Sequence, residues 1–165
     1  DIPFAIVPVD ILLGLGMMDK PEMNKSIYYS FKQSTRLNLL PKFKIDVDKQ
    51  KFLDLTQNFF AASGWGVCKN LEINESSHHA LITLSYSPLA RALQGKVQHP
   101  ADHYFRGVVA AIFSEFFQID VDAVETNCRA ISQTDCTFVI KPLAEFDFTQ
   151  EETQRQLSID PTSMK

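Results

Sequence analysis

Several features that commonly reveal a function are scarce in this sequence. Its 165 residues contain no run of lysines or arginines and carry a formal net charge of -4, which does not favour non-specific nucleic-acid binding. Three cysteines, an odd number, do not make a disulfide framework and indicate intracellular thiols or metal ligands. The chain also lacks a glycine-rich phosphate loop, a Ser–His or Cys–His pair at convincing spacing, and paired carboxylates on one helical face. We therefore expect a cytoplasmic protein that is not an enzyme.

Long apolar runs are scarce as well. The most apolar N-terminal stretch, residues 2–18, is interrupted by Pro3, Pro8 and Asp10 and is short for a bilayer span. It also lacks the basic start of a signal peptide, so we expect no membrane span. The sequence begins with Asp1 rather than methionine, which is compatible with a processed chain or with a piece of a longer protein.

The composition that is present suits one globular domain of ordinary size. Hydrophobic residues make up 45% of the chain and charged residues 22%, which excludes a disordered chain. Thirteen phenylalanines are many for this length. They indicate a large aromatic core or a cavity with apolar walls.

Apolar residues recur at helical spacing in five segments: about 9–17, 25–40, 49–62, 89–93, and 102–116. Pro41 is expected to end or kink the second helix. Asp48 is placed to cap the third helix and Gly64 to end it. The last helix carries apolar residues over a broad face and is therefore expected to be deeply buried.

Two β-hairpins are predicted from alternating apolar residues. The first joins residues 65–73 to 80–86, and the second runs from Val121 to Ile140 around a polar turn. Hairpins separated by helices predict an α+β domain, an antiparallel sheet with helices packed on one face. We place this domain at residues 1–148. From residue 149 to 165 we expect a polar C-terminal tail that is mobile or loosely helical.

One carboxylate and two thiols flank the turn of the second hairpin: Glu125, Cys128 and Cys136. Oxygen and sulfur ligands of this kind can hold a metal ion. Both cysteines also suit the role of small buried apolar residues, or of partners in a cross-strand disulfide. Strict alternation puts Glu125 and Cys128 on opposite faces of the strand, so a shared metal requires a β-bulge or twist between them.

A second group of residues could line a binding cavity. Trp65, the only tryptophan, lies at a helix–strand junction, where it either packs in the core or lines a cavity. The stripe Phe105, Val109 and Ile112 is more typical of plain core, and in a binding domain the same face would form the wall of a pocket. Tyr86 or Tyr104 would supply a polar contact there. By contrast, His78 and His79 follow a turn and are expected to be exposed polar residues rather than ligands.

The spacing Glu125-x2-Cys128-x7-Cys136, together with the run Asp102–Gly107 before a buried helix, resembles the C-terminal signature of the 4-vinyl reductase domain family. Residues 64–66 and 87–90 match its layout, and the resemblance covers roughly residues 8–142. It implies a fold similar to that of the small core subunits of the TRAPP vesicle-tethering complex, with a four-stranded antiparallel sheet and helices on one side. It also implies the binding of hydrocarbons or aromatics, and a homodimer.

In sensor members of that family, a zinc ion is held by Cys, Glu, Cys and Cys beside the ligand cavity. Glu125, Cys128 and Cys136 match three of these positions, and the fourth is Asp102 here. An aspartate can ligate zinc, with neighbouring His103 as another candidate, but a site with more oxygen ligands holds zinc less tightly than a three-thiolate site. Asp102 is also placed to cap the buried helix through its side chain. Ser132 stands where the family often has glycine.

Our leading interpretation is a non-enzymatic domain that encloses an apolar, aromatic or lipid-like molecule between helices and sheet, with a structural zinc ion at Asp102, Glu125, Cys128 and Cys136. The alternative is a dimeric assembly or scaffold factor with a protein partner, for example in tetrapyrrole or photosystem biogenesis. A reductase accessory subunit is a third reading. Likeness of fold does not decide among them.

Overall fold

The computed structural model of the chain describes residues 7–43 and 48–158. Within these residues the elements follow in this order: α1 (Val9–Gly16), α2 (Pro21–Ser34), a π-helical turn (Thr35–Leu39), α3 (Leu40–Phe43), α4 (Lys49–Ala62), β1 (Val67–Asn74), β2 (His79–Tyr86), α5 (Pro88–Ala92), α6 (His103–Phe117), β3 (Asp122–Asn127), β4 (Cys136–Lys141), a 3-10 turn (Leu143–Glu145) and α7 (Glu151–Gln156). Residues 1–6 of the predicted domain and residues 159–165 of the predicted tail lie outside the described part of the chain.

The four strands form one antiparallel sheet in the order β1-β2-β4-β3, which confirms the predicted α+β architecture. Ile82 and Phe138 pair across the two central strands, and both side chains are buried. Helix α6 is buried at every residue except Glu115, as its broad apolar face predicted. Among the described residues, no helix has both the length and the apolarity to cross a lipid bilayer.

Local chemistry explains where the N-terminal helices begin and end. The Asp48 carboxylate accepts a hydrogen bond from the Lys51 backbone N–H at 2.8 Å, so the predicted cap of α4 is confirmed. The predicted second helix is longer and less regular than expected. Pro41 has no N–H to donate and its ring crowds the carbonyl of Leu37, so the helix widens into the π-helical turn just before it.

Helices α2 and α6 approach closely because a glycine lies where they cross. A Cβ atom added at Gly107 would lie 2.5 Å from the carbonyl oxygen of Tyr28 and 2.8 Å from the backbone nitrogen of Lys32. Backbone atoms cannot yield to such a contact, so a larger residue would push the helices apart. The buried carboxylate of Asp122, at the start of β3, accepts hydrogen bonds from Tyr28 Oη at 2.6 Å and Lys32 Nζ at 2.8 Å. Helix α2 is therefore tied to both α6 and the sheet.

The C-terminal segment is docked at residues 151–158, and of the two predicted alternatives, mobile or loosely helical, a helix is the one found. Gln156 and Leu157 are each only 1% exposed. The backbone N–H of Ser158 donates to Tyr29 Oη at 3.2 Å. Its buried residue Gln156 pairs with the Glu125 backbone of β3 rather than with apolar side chains. Where the domain ends stays a prediction.

Candidate metal centre and aromatic cluster

Strand β3 carries the bulge that a shared metal would require. Glu125 pairs with Phe138, whereas Asn127 pairs with Thr137, so the register shifts between Glu125 and Asn127. The extra residue turns the chain and reverses the alternation of side chains beyond it. As a result, Cys128 and Glu125 reach the same side of the strand, and the condition set by their spacing is met.

The bulge brings together a buried metal cluster, which we define as Glu125, Cys128 and Cys136. Their ligand atoms all lie within 4.8 Å of one another. Glu125 Oε2 accepts from the Asp102 backbone N–H at 3.1 Å, while Oε1 is buried with no hydrogen-bond partner in the described part of the chain. The Arg129 N–H donates to Cys136 Sγ at 3.3 Å, an interaction that stabilises a thiolate. The donor set and the unpaired oxygen fit a zinc ion.

Asp102 lies at the start of α6 but does not cap it with its side chain. Its Oδ1 accepts from Ser87 Oγ at 2.9 Å, and its Oδ2 is buried without a partner among the residues described. Asp102 therefore holds the predicted N-cap position of α6, but its carboxylate accepts from Ser87 instead of making the predicted capping hydrogen bond. Asp102 is not within the 4.8 Å group, yet its carboxyl group interacts with Cys136, which belongs to that group.

The hairpin turn tolerates Ser132 where the family often has glycine. Ser132 does not have a positive φ, so its backbone places no demand for glycine. Its hydroxyl donates to the carbonyl of Cys128 at 2.9 Å, and its own N–H donates to the same oxygen at 2.9 Å. Ser132 thereby fixes the chain immediately after Cys128.

Burial makes the cluster hold its protons when no cation is present. Burial is the largest cause that raises the pKa of Glu125 well above its usual range, with the neighbouring Cys128 and Asp102 adding to it. The pKa of Cys128 is raised by its hydrogen bond to Cys136 and by burial. Burial also raises the pKa of Asp102 to about 6, although the hydrogen bond from Ser87 and the neighbouring Cys136 thiol oppose the shift. A metal ion must displace these protons to bind.

We therefore expect zinc to stabilise the chain more as the pH rises from about 5 to 8. The pKa of the Asp102 carboxyl is higher in the folded chain than in the unfolded chain, so this group stabilises the metal-free fold at pH values below its unfolded pKa. That stabilisation is lost as the pH rises through about 6, the pKa of Asp102 in the folded chain. Zinc binding has the opposite dependence, since the ligands bind it deprotonated. Thermal unfolding in chelator and in zinc, at a series of pH values, would measure the difference. A zinc-induced shift in Tm that does not change with pH would contradict this expectation.

The histidines are not part of the metal cluster. His103 Nδ1 accepts from Arg106 Nη2 at 3.3 Å, and burial followed by the charge of Arg106 lowers the His103 pKa well below its usual range. Its ring stacks on His99, with centroids 6.3 Å apart. His78 and His79, expected to be exposed, are half-buried. His79 contacts the Glu145 carboxylate, and His78 meets Phe117 edge-on.

Three aromatic residues form the second feature, an aromatic cluster of Phe31, Trp65 and Tyr104. The Phe31 ring meets Tyr104 edge-on at 4.9 Å and Trp65 edge-on at 6.2 Å. Tyr104 is 5% exposed, and its hydroxyl has no hydrogen-bond partner within the described chain. Burial raises the pKa of Tyr104, so the hydroxyl stays neutral and can donate. Trp65 is half-buried and connects the cluster to the surface.

The other residues predicted to line a pocket do not join this cluster. Phe105 packs between Phe60 and Phe138, at 4.8 and 4.9 Å, on the side of α6 that faces the sheet. Val109 and Ile112 are buried core residues. Tyr86 is 41% exposed and lies under Arg91, so it is not placed to serve a buried ligand. The residue that links Trp65 to Tyr104 is Phe31, and its place on the apolar stripe of the second helix is the sequence signal that points to it.

The part of the chain that carries the metal cluster matches a known protein family. Residues 82–142 match the model of the 4-vinyl reductase domain, a span that contains Asp102 and all of the metal cluster. The predicted resemblance to the 4-vinyl reductase domain family is confirmed over these residues. No curated protein matches the sequence.

Solved structures share the fold at low identity. The phenol-responsive sensory domain of the transcription activator PoxR with phenol has a TM-score of 0.71 at 12% identity, covering 94% of this chain and 84% of that one. A vinyl-4-reductase family protein from Methanocaldococcus jannaschii has a TM-score of 0.50 at 18% identity, covering 84% and 83%. A trafficking protein particle complex subunit 3 from Naegleria fowleri, covalently bound to palmitic acid, gives 0.42 at 11% identity, covering 81% of each chain. The first two show that this chain has the fold of 4-vinyl reductase domains.

Proposed function

We propose that this chain is a non-enzymatic binding domain for a small aromatic molecule that carries one hydrogen-bond acceptor. The observation that carries the proposal is the hydroxyl of Tyr104, which is buried and lacks a partner among the described residues. Leaving such a group unpaired costs on the order of 1–3 kcal/mol. A ligand oxygen would supply the missing acceptor and recover that free energy on binding.

The surroundings of Tyr104 favour an aromatic ligand. Phe31 and Trp65 offer ring faces and edges, which prefer stacked or edge-on contacts with another ring. Trp65 packs against the core and is only half-buried, so this member of the cluster is in contact with solvent. The PoxR sensory domain, which shares the fold and was solved with phenol, supports a ligand of this size and class.

The proposal includes a structural zinc ion held by Glu125, Cys128 and Cys136, with the carboxyl group of Asp102 beside them. When bound, zinc would cross-link the second hairpin to the start of α6. Asp102 lies only two residues before Tyr104, so the metal would fix the end of the helix that carries the ligand-binding hydroxyl. Five further expectations stay predictions: that the chain has no catalytic activity, that it forms a homodimer, that a lipid-like ligand binds, that it serves in an assembly, and that it is cytoplasmic.

Calorimetric titration with phenol and toluene tests the proposed function, since the two ligands differ by the replacement of a hydroxyl with a methyl group. We expect the wild-type chain to prefer phenol by about tenfold, because one hydrogen bond contributes about 1 kcal/mol or more. In Tyr104→Phe the two affinities should converge. Tyr86→Phe, which removes an exposed hydroxyl, is the matched control and should keep the preference. Wild-type protein that is folded yet binds neither ligand, or a preference that survives Tyr104→Phe, would overturn the proposal.

A further inference from the structure

Gln156, in the C-terminal helix, makes a paired contact with the backbone of a residue in the metal cluster. Its Oε1 accepts from the Glu125 N–H at 2.9 Å, and its Nε2 donates to the Glu125 carbonyl, also at 2.9 Å. Strand β3 is at the edge of the sheet, so these Glu125 groups point away from β4. The side-chain amide of Gln156 thus makes the two backbone hydrogen bonds that a neighbouring strand would make to Glu125, the residue where the bulge begins.

Two further contacts hold Gln156 in place. The guanidinium of Arg106, fully buried in α6, donates from Nη1 and Nη2 to the Gln156 carbonyl, both at 3.3 Å. It also donates from Nη1 to the Ala123 carbonyl at 2.9 Å, so it joins the same helix to β3. At the far end, Tyr29 Oη pairs with the backbone of Ser158. We call residues 151–158 the C-terminal clasp.

We infer that Gln156 is a positioning residue for the metal site, so that docking of the C-terminal clasp and binding of the metal stabilise each other. The clasp fixes the Glu125 backbone beside the bulge, and the direction of the Glu125 carboxylate depends on that backbone. A zinc ion on the carboxylate would in turn fix the backbone groups that Gln156 binds. This inference rests on the proposed zinc site and goes beyond it, since it predicts that docking of the C-terminal segment is strengthened when the metal binds.

The coupling between clasp docking and zinc binding is reciprocal, so it can be tested by two independent measurements. If the clasp raises zinc affinity by some factor, zinc must favour the docked clasp by the same factor. Metal affinity can be measured by competition with a chromogenic chelator. Docking can be measured by hydrogen exchange of the backbone amides of residues 151–158, which needs no activity assay.

The test variant is Gln156→Met, which keeps the buried volume but removes both hydrogen bonds to Glu125. We expect its zinc affinity to fall roughly 5- to 20-fold, within the usual range of coupling between two sites. In the wild-type chain zinc should slow exchange across residues 151–158, and in Gln156→Met it should not. Tyr29→Phe loosens the clasp from its other end, without touching Glu125, and should weaken zinc binding in the same direction.

Two controls separate positioning from general loss of stability. Glu152→Gln changes an exposed residue of the same helix and should leave affinity and exchange unchanged. Phe52→Leu weakens the core at Phe116 and should lower Tm without changing zinc affinity. If Gln156→Met binds zinc with wild-type affinity, or if zinc does not change the hydrogen exchange of the clasp in the wild-type chain, this inference is overturned while the zinc site itself stands. A wild-type chain that binds no zinc would overturn the zinc site and this inference together.

Discussion

Cys128→Ser and Cys136→Ser are each expected to lower zinc affinity by more than about 100-fold, since loss of an outer-shell partner alone costs 10- to 100-fold. Both sulfur atoms lie in the metal cluster, within 4.8 Å of the Glu125 carboxylate. A serine hydroxyl stays protonated and is a poor replacement for a thiolate. Zinc content of the purified chain and competition with a chelator would measure the loss.

The same substitutions should remove the stabilisation that zinc provides. Zinc present at 100 times its Kd adds about 2.7 kcal/mol to the free energy of unfolding, and a chain that cannot bind it gains nothing. Cys68→Ser is the matched control, because Cys68 lies on β1 and its thiol donates to the Asn70 carbonyl instead. Asp102→Cys, which adds a third thiol beside the cluster, should bind zinc more tightly. Equal zinc content in Cys68→Ser and Cys128→Ser would refute the assignment of these ligands.

Asp122→Ala is expected to lower the free energy of unfolding by about 3–5 kcal/mol, the usual cost of removing one partner of a buried ion pair. Asp122 is 2% exposed and accepts from both Tyr28 Oη and Lys32 Nζ. Without it, the Lys32 ammonium keeps only the exposed carboxylate of Asp120, and the Tyr28 hydroxyl loses its acceptor. Urea unfolding followed by circular dichroism would measure the change.

Asp120→Ala is the matched control for this prediction. Asp120 binds the same lysine at 3.1 Å and Arg36 at 3.3 Å, but its side chain is 57% exposed. Exposed ion pairs contribute about 0–1 kcal/mol, so the loss should be small. Comparable destabilisation by the two alanine variants would show that burial of Asp122 is not what gives the pair its strength.

The residue pattern predicted the sheet, the long buried helix and the three side chains of the metal cluster, because each follows from local periodicity or spacing. The demand for a bulge between Glu125 and Cys128 came from the two-residue period of a strand, and the structure meets it. Asp102 was harder to assign, since a carboxylate before a helix suits both a cap and a ligand. Its orientation is set by Ser87, whose proximity the chain order does not show.

Contacts between a side chain and a distant backbone left no trace in the sequence. Gln156 binds Glu125 over a separation of 31 residues, and a polar helix of six residues gives no sign of such a partner. Tyr86 and Tyr104 are equally plausible in sequence as pocket residues. Burial separates them, because Tyr86 is 41% exposed at the end of β2 whereas Tyr104 is buried and faces α2.

Native mass spectrometry of the zinc-loaded chain, with and without added phenol, tests the central claim most directly. We expect one zinc ion per chain and, on addition of phenol, one phenol molecule that Tyr104→Phe holds less tightly. The Cys128→Ser chain should appear without the metal. A folded wild-type chain that carries neither zinc nor phenol under these conditions would show that neither proposed site exists.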